Sequence, residues 1–462
     1  MHGWLPVTVQ VIAGLLLIAA IGWRNRRWRV VWLPWAALVG VALAVASYWY
    51  IASQGLSDDS NPAPNSLWIW IGLTGVAVGV LIAGWRGARW WRRGVSAVAV
   101  PVCVLCAALA LNLWVGYFPT VQTAYNQLTA GPLPDQTDTG TVVAMQKRHA
   151  IPPKGTVVPV NIPDAGSGFK HRGELVYLPP AWYATDPPPP LPTVMMVGGE
   201  FNTPADWLRA GGAVKTIDDF AAAHGGNAPV FVFVDSGGAF NNDTECVNGK
   251  RGNAADHLTK DVVPFMVSSF HVSATRANWG VAGWSMGGTC AVDLAVMHPD
   301  MFSAFVDIAG DLTPNSGNKA QTIARLFGGN AAAWAAFDPT TVMARHGKYT
   351  GVAGWFDING IPSAQPHVVN AAANAGDQTA AANSLCATGS ANGITCAVEM
   401  QPGKHDWPFA ARAFAVGLPW LAGQLGTPGV PAEPMPAATV VAKPAQAPAA
   451  PHSGPNLQAA AK

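Results

Sequence analysis

The 462-residue sequence has little charge, because lysine, arginine, aspartate and glutamate together make up only 11% of the chain. The formal net charge of +1 argues against a nucleic-acid partner, which requires a concentrated basic face. Residues 1–117 contain no lysine and no glutamate, and their only acidic residues are Asp58 and Asp59. A segment this poor in charge and this rich in apolar residues is typical of membrane helices.

Motifs for metals and phosphates are also missing. The sequence contains no H-E-x-x-H motif, no paired Cys/His cluster and no glycine loop of the P-loop type. We therefore expect the protein to need no metal and no cofactor. The apolar runs of residues 1–117 also lack interior acids, lysines and histidines, so a transporter that couples to ions is disfavoured.

Four apolar runs are long enough to cross a bilayer, which takes about 20 helical residues. They lie near residues 5–22, 30–52, 67–85 and 95–117. The eight arginines of this region all fall in the short loops after the first and third runs. Because short basic loops stay on the cytoplasmic side, we predict a plasma-membrane protein with everything after residue 117 outside the cell. A cleaved signal peptide at the first run is the alternative, but no basic segment precedes it and three runs follow.

The six cysteines divide between the two regions. Cys103 and Cys106 fall in the fourth run, where we favour buried small side chains over a redox or metal pair. The others, in the part predicted to be extracytoplasmic, are Cys246, Cys290, Cys386 and Cys396. Four cysteines in an oxidising compartment suggest two disulfides with three possible connectivities. Cys386–Cys396 is favoured because it joins the end of a helix to the next strand, and Cys246–Cys290 then follows by elimination.

From about residue 151 to residue 425, short apolar strands alternate with helical stretches, which predicts a mostly parallel α/β sheet. The candidate strands are residues 156–162, 173–178, 193–198, 229–235, 278–283, 303–309, 350–356 and 394–400. Residues 118–150 have the composition of a polar linker. Residues 426–462 are rich in proline and alanine and predict a disordered tail.

The stretch VAGWSMGGT contains the spacing G-x-S-x-G, formed by Gly283, Ser285 and Gly287. An apolar strand precedes it and a helical stretch follows, and in this context the serine projects from a sharp turn as a nucleophile. The pentapeptide alone is only moderately specific in a chain with 49 glycines. Its position between a strand and a helix makes the prediction much stronger.

A serine nucleophile needs a base, and in this fold a histidine follows it in the chain. Of the 11 histidines, His405 is the best placed, in a loop just after the last predicted strand; the alternative is an ordinary surface histidine. The acid that orients the imidazole should lie between the seventh strand and this loop. Asp377 is favoured over Asp357, whose use would require a long excursion of the chain, although both could simply cap turns.

Acyl transfer also needs donors for the oxyanion. The backbone N–H of Met286, directly after the nucleophile, is one candidate. The second is the N–H of Glu200 or Phe201 in the loop after the third strand, where two glycines permit close approach. Those glycines could instead form an ordinary turn.

Residues 155–425 resemble the esterase D branch of the α/β hydrolases and, within it, the antigen 85 mycolyltransferases of the mycobacterial cell wall. The resemblance is carried by GWSMGGTCAVDLAVMHPDMFSAFVDIAG around the nucleophile, HLTKDVVPFM before it, WAAFDPTTVM at residues 334–343 and GKHDW at the histidine. It implies an α/β-hydrolase fold. The four-run membrane region lies outside the resemblance.

The resemblance also implies roles for individual residues. Trp407, in the family's H-x-W motif, is expected to line the substrate site, and Trp284 beside the nucleophile is a second candidate. The acid of this branch lies in a helix before the last strand, which supports Asp377. The Asp and Arg that contact trehalose in antigen 85 are absent here, where the run is GGEF at residues 198–201. Trehalose recognition in the same manner is therefore not implied.

These features predict a membrane-anchored serine esterase or acyltransferase that acts on lipid or glycolipid esters at the outer face of the plasma membrane. Hydrolysis and transfer share the first half-reaction, so the sequence does not separate them. The alternative is a noncatalytic envelope protein that uses the hydrolase fold as a binding or assembly scaffold. In either case the membrane region is a candidate surface for envelope protein partners.

Overall fold

The structure, a computed structural model, describes residues 3–54, 62–118, 120–129, 133–360 and 378–435. Four long helices come first: α1 (Trp4–Ile21), α2 (Leu33–Gln54), α3 (Asn65–Gly84) and α4 (Trp90–Val115). A π-helical turn, Trp28–Trp32, leads into α2. Each predicted apolar run corresponds to one of these helices, and all four are long and apolar enough to cross a membrane.

The four helices pack closely through small residues. A Cβ atom added to Gly75 of α3 would lie 2.8 Å from the Cα of Gly40 in α2, so the two backbones touch. Small residues at helix contacts are the usual means of packing helices in membranes. At the end that carries the arginines, Arg24 donates hydrogen bonds to the carbonyl oxygens of Ala20 at 2.9 Å and Gly84 at 3.3 Å, which links α1 to α3.

The second region is built on one sheet. The strands are β1 (Thr156–Val160), β2 (Glu174–Leu178), β3 (Thr193–Val197), β4 (Val230–Val234), β5 (Asn248–Gly249), β6 (Gly252–Asn253), β7 (Trp279–Trp284), β8 (Ala304–Ile308), β9 (Ala353–Asn359) and β10 (Thr395–Gln401). β5 and β6 form a separate small hairpin, and the others form an eight-stranded sheet in the order β1-β2-β4-β3-β7-β8-β9-β10. The pairs β1–β2 and β2–β4 are antiparallel and the remaining pairs are parallel. All eight predicted strands are confirmed.

Helices cover both faces of this sheet. They are α5 (Val121–Leu128), α6 (Thr139–Lys147), α7 (Pro204–Arg209), α8 (Ala213–Ala223), α9 (Ala254–Asp256), α10 (Val263–Phe270), α11 (Met286–Met297), α12 (Lys319–Phe327), α13 (Ala331–Ala335), α14 (Pro339–His346), α15 (Gln378–Ala391) and α16 (Trp407–Gln424). One buried core includes α11 and α15, and the other includes α8 and α16. The fold is therefore the predicted α/β-hydrolase fold, preceded by an all-helical region.

The segment predicted as a polar linker holds α5 and α6 and is attached to the sheet. Val142 of α6 is buried in one core and Leu133 in the other. The Thr137 N–H donates to the carbonyl oxygen of Val157 at 2.9 Å, and the Val157 N–H donates to the carbonyl oxygen of Asp135 at 2.9 Å. These bonds extend the edge of the sheet beside β1. The boundaries drawn at residues 118 and 150 stay predictions.

The structure describes the first ten residues of the predicted tail, 426–435. Val430 and Met435 pack against the core that contains α8 and α16. The remainder, 436–462, lies outside the described residues. Part of the proline- and alanine-rich segment therefore belongs structurally with the hydrolase domain.

Two disulfides join the pairs favoured from the sequence. Cys246–Cys290 connects the loop after β4 to α11, and Cys386–Cys396 connects α15 to β10. In each pair the Cα atoms are 5.7 Å apart, which is the usual separation for a disulfide. Cys103 and Cys106 are free thiols buried in the helical region, in agreement with the interpretation as small packing side chains.

Candidate active site

Ser285 lies on a sharp turn between β7 and α11. Its backbone has φ 58° and ψ −122°, in the left-handed half of conformational space that L-residues rarely occupy. A Cβ atom added to Gly283 would lie 1.8 Å from the carbonyl oxygen of Gly287, and one added to Gly287 would lie 2.3 Å from that of Val197. Only glycine fits at both positions. The G-x-S-x-G spacing is therefore a requirement of the turn that exposes the serine.

The loop after β10 brings His405 to this serine. The Nε2 atom of His405 lies 2.9 Å from the Oγ of Ser285, although the two residues are 120 positions apart. The Nδ1 atom lies 3.2 Å from the amide oxygen Oε1 of Gln378. The amide nitrogen of Gln378 donates to the carbonyl oxygen of Ala309 at 2.9 Å, which fixes the amide with its oxygen toward the ring. The proton therefore lies on Nδ1, and Nε2 is free to accept the hydroxyl proton.

The environment of the imidazole keeps it uncharged. Removal from water lowers the pKa of His405 from 6.5 to about 4, so the ring is neutral and basic at neutral pH. The ring of Trp284 lies 4.2 Å from the His405 ring, centroid to centroid. Trp407 packs edge-on against Trp207 at 5.2 Å. Trp284 and Trp407 are both buried, and Trp284 packs against the imidazole. Their role in lining the substrate site stays a prediction.

The two candidate acids are placed differently. Asp377 lies outside the described residues and directly precedes Gln378 in the sequence. Asp357, on β9, is fully buried, and its carboxylate accepts from the amide of Gln401 at 2.5 Å and not from His405. Burial, followed by the negative charge of Glu399, raises the pKa of Asp357 to about 7. A carboxyl group that ionises so reluctantly is poorly suited to stabilise an imidazolium.

The two segments that carry the predicted oxyanion donors adjoin the nucleophile. Met286 begins α11 immediately after Ser285, and a Cβ atom added to Gly199 would lie 3.2 Å from the Cβ of Ser285. Glu200 and Phe201 follow that glycine, and Phe201 has a left-handed φ of 65°. A strained non-glycine residue next to a nucleophile is typical of a functional loop. The assignment of individual N–H groups to the oxyanion stays a prediction.

The side chain of Glu200 is more unusual than its sequence indicated. Burial, followed by repulsion from the carboxylate of Asp243, raises the pKa of Glu200 well above its usual range, against the opposing effect of Arg251. Arg251 donates a hydrogen bond to Asp243 at 2.8 Å, so its positive charge is paired mainly with that carboxylate and not with Glu200. The carboxyl group of Glu200, two residues after Gly198 in the loop that follows β3, is therefore harder to ionise than an ordinary glutamate.

One cluster away from Ser285 has the composition of a metal site. His171, Glu174 and His257 offer ligand atoms within 4.8 Å of one another. The ring nitrogens are already engaged, since those of His171 contact two backbone carbonyl oxygens and those of His257 contact Glu174 at 2.7 Å and Asp261 at 3.2 Å. The two rings stack at 4.1 Å, so their in-plane lone pairs do not converge on one point. We interpret the cluster as a buried ion-pair network.

A serine on a strand-to-helix turn, paired with a histidine after the last strand of a sheet with this order, defines an α/β hydrolase. The family model Esterase matches residues 170–421, which is more than half of the chain, and the chain belongs to this family. Membership supports hydrolase activity on ester bonds.

Comparison with other proteins extends over different parts of the chain. An uncharacterized protein of Corynebacterium glutamicum is 26% identical over 396 residues, which cover 81% of this chain and 88% of that protein. Since residues 118–462 make up about 75% of the chain, this similarity reaches into the helical region.

Three solved structures that resemble this chain each match a little under three fifths of it. An S-formylglutathione hydrolase from Agrobacterium tumefaciens is 17% identical with a TM-score of 0.46, and the match covers 59% of this chain and 95% of that one. A ferulic acid esterase is 18% identical with a TM-score of 0.45, covering 59% and 99%. MPT51 of Mycobacterium tuberculosis is 18% identical with a TM-score of 0.39, covering 58% and 99%.

Gln378 was not found from the sequence. Glutamine is not a residue expected beside the base of a hydrolase, and nothing in its immediate neighbours marks it. The one available signal was its position next to Asp377, at the start of the helix before the last strand.

Proposed function

We propose that the protein is a membrane-anchored serine esterase or acyltransferase that acts on lipid or glycolipid esters at the outer face of the plasma membrane. The observation that carries this proposal is the 2.9 Å separation of the Ser285 Oγ and the His405 Nε2 at a strand-to-helix turn. This distance lies within the range in which a general base can take the proton of a nucleophile.

The proposed reaction proceeds in two halves. The Oγ atom of Ser285 forms a bond to the carbonyl carbon of the ester while its proton moves to Nε2 of His405. The negative charge that develops on the carbonyl oxygen is held by the backbone N–H of Met286 and that of Glu200 or Phe201. The C–O bond to the leaving alcohol then breaks, and the alcohol takes the proton from Nε2. Water or a sugar hydroxyl next gives its proton to Nε2 and attacks the acyl carbon. The bond from that carbon to Oγ then breaks, and the Ser285 Oγ takes the proton back from Nε2.

Asp377 is our proposed orienting acid. Its support is the contact between His405 and Gln378, which brings the first residue of α15 to the Nδ1 side of the ring. Asp357 is disfavoured because its carboxyl group is bonded to Gln401 and has a raised pKa.

The membrane location is supported by the arrangement of the helices. The arginine-rich loops follow α1 and α3, whereas the hydrolase domain contacts the opposite ends of α2 and α4, through Tyr50 and Gly116 respectively. With basic loops retained in the cytoplasm, this arrangement supports an extracytoplasmic position for the hydrolase domain. We refer below to the ends of α2 and α4 that contact the hydrolase domain as the outer ends.

A fluorophosphonate probe tests the nucleophile. The full chain, purified in detergent micelles, should be labelled on Ser285, and Ser285→Ala should abolish labelling. Ser269→Ala, which alters an exposed serine on α10, should label like the wild type. Absence of labelling in the wild type, or equal labelling of Ser285→Ala, would reject the proposed chemistry.

A noncatalytic envelope-binding role is the second candidate. It is favoured by one observation: in the described part of the chain, the group at Nδ1 of His405 is an amide and not a carboxylate. Complementation of a deletion strain separates the two roles. Full rescue by Ser285→Ala would support binding, whereas loss of rescue would support catalysis.

A further inference from the structure

The outer end of α4 lies directly against the loop that carries His405. Gly116 ends α4 in the left-handed conformation, with φ 69° and ψ 17°. A Cβ atom at Gly116 would lie 3.1 Å from the carbonyl oxygen of His405 and 3.1 Å from the Cβ of Asp406. These distances are shorter than ordinary van der Waals contacts, so a side chain at residue 116 would require the His405 loop to move by a few tenths of an ångström.

The turn that makes this contact is fixed by Asn112. Its backbone carbonyl accepts from the Gly116 N–H at 2.8 Å. Its side-chain oxygen accepts from the Phe118 N–H at 2.7 Å, and its side-chain nitrogen donates to the Phe118 carbonyl at 3.0 Å. Asn112 therefore binds the turn at two points: its backbone carbonyl holds Gly116, and its side-chain amide holds Phe118.

Two further contacts place the helical region on the rim of the site. Asn241, in the loop after β4, donates to the hydroxyl of Tyr50 at 3.2 Å. Arg325, on α12, donates to the carbonyl oxygen of Ala52 at 2.9 Å. Both partners belong to the outer end of α2. The loops and helix that make these contacts follow strands of the sheet at their carboxyl ends, which is the edge that also carries Ser285.

We propose that the outer end of α4 is a positioning element of the active site, in which Gly116 and Asn112 hold the His405 loop so that the imidazole reaches Ser285. This inference rests on the proposed function. Asp406 caps α16 by accepting from the Phe409 N–H at 3.1 Å, so the loop is anchored by α16 on one side and by α4 on the other. The helical region is then part of the catalytic apparatus as well as an anchor.

The geometry predicts a specific kinetic effect. A side chain at Gly116 pushes the His405 backbone away by a few tenths of an ångström, and a shift of about 1 Å in a reacting group can cost roughly 100-fold in rate. We expect Gly116→Val to lower kcat for p-nitrophenyl acetate about tenfold or more, with KM changed less than about twofold. We expect KM to be spared because the substitution acts through the backbone of His405 and Asp406.

The measurement uses the full chain in detergent micelles, with the wild type, Ser285→Ala, Gly116→Val and Gly329→Ala compared in parallel. Gly329 is the matched control, because it has a left-handed φ of 89° and open space around its Cβ position. Gly329→Ala should retain wild-type kcat. If Gly116→Val retains wild-type kcat while Ser285→Ala is inactive, the positioning role is wrong and the proposed function stands.

A second pair of variants decides the question if Gly116→Val does not accumulate. Asn112→Leu removes both side-chain bonds to Phe118, whereas Asn112→Asp keeps an acceptor for the Phe118 N–H. The proposal predicts a kcat order of wild type, then Asn112→Asp, then Asn112→Leu. Equal kcat for all three would overturn it. A wild-type protein without esterase activity or probe labelling would overturn both this inference and the proposed function.

Discussion

The amide oxygen of Gln378 lies 3.2 Å from Nδ1 of His405, while Nε2 of the same ring lies 2.9 Å from the hydroxyl of Ser285. The imidazole is therefore held at both nitrogens. The contact also places the first residue of α15 at the position where an orienting acid is required. It is the reason for proposing Asp377, the preceding residue, for that role.

Replacement of this acid should be costly. We expect Asp377→Asn to lower kcat by about 10²–10⁴, because the imidazolium formed during the reaction loses its counter-charge. Ester hydrolysis by the purified full chain measures the effect. Asp357→Asn is the comparison and should retain kcat within about threefold, since the pKa of that carboxyl is already raised to about 7. The opposite order would identify Asp357 as the acid.

The amide of Gln378 should have an effect of its own. Gln378→Ala removes an acceptor for the Nδ1 proton, and we expect a decrease in kcat of about tenfold, which corresponds to one hydrogen bond of about 1.4 kcal/mol. Gln378→Glu keeps an acceptor oxygen at the same place and should lose less. If Gln378→Ala is inert, the 3.2 Å contact does not orient the ring.

The acid limb of the pH profile follows from the environment of His405. Only the neutral ring accepts the serine proton, so kcat/KM should fall as the pH drops through the pKa of His405. Burial lowers this pKa to about 4, and a carboxylate at Nδ1 would raise it. We therefore expect an inflection below 6.5 that moves further down in Asp377→Asn. An inflection above 6.5, unchanged in the variant, would contradict this account.

The two disulfides should differ in their contribution to stability. Cys246–Cys290 closes a loop of 44 residues and Cys386–Cys396 a loop of 10. Loop-closure entropy predicts that removing the first by a double alanine substitution lowers the free energy of unfolding by about 4 kcal/mol, and removing the second by about 3 kcal/mol. Thermal unfolding of the two double variants gives the order. A larger loss for the Cys386–Cys396 variant would show that chain entropy does not dominate.

The buried network around His257 predicts a stability that depends on pH. Burial lowers the pKa of His257, but the contacts with Glu174 and then Asp261 outweigh it, so the pKa is raised above 6.5. The stabilisation is fully present below pH 6.5 and is lost as the pH rises through the raised pKa. His257→Gln removes the cation that the buried carboxylates of Glu174 and Asp261 share, and should cost about 3–5 kcal/mol at pH 6.

Unfolding midpoints at pH 6 and at higher pH measure this effect. The difference between the wild type and His257→Gln should shrink as the pH rises. His346→Gln, at an exposed position, is the control and should change stability by less than about 0.5 kcal/mol. A difference that stays constant with pH would mean that His257 contributes through packing and not through charge.

Local patterns were sufficient for the centre of the fold. The strand β7 is apolar throughout and fully buried, and the glycines at 283 and 287 are required by a turn that no other residue fits. The apolar run of the strand and the glycine spacing of the turn can each be recognised within a few consecutive residues. The same is true of the other strands, whose ends shift by at most three residues from the predicted limits.

Contacts between segments that are distant in the sequence could not be predicted from local patterns. Gln378 and Gly116 reach the His405 loop from positions 27 and 289 residues earlier in the chain, and neither has a distinctive neighbourhood. The burial of Trp407 likewise depends on Trp207, which lies on another helix. The packing of the predicted linker against the sheet could not be predicted either. Helix α6 buries only one of its nine residues, Val142, so its sequence shows no apolar face.

Gly40 and Gly75 let α2 and α3 pack closely, and α2 contacts the hydrolase domain through Tyr50 and Ala52. A free coil of the length of residues 118–150 would give its ends a separation of roughly 30 Å. With the helices in a bilayer, as proposed, the contacts between the helices and the hydrolase domain prevent the domain from moving over that distance. Under the proposed location, Ser285 is held at a fixed height above the lipid, and an ester substrate would have to reach the serine at that height.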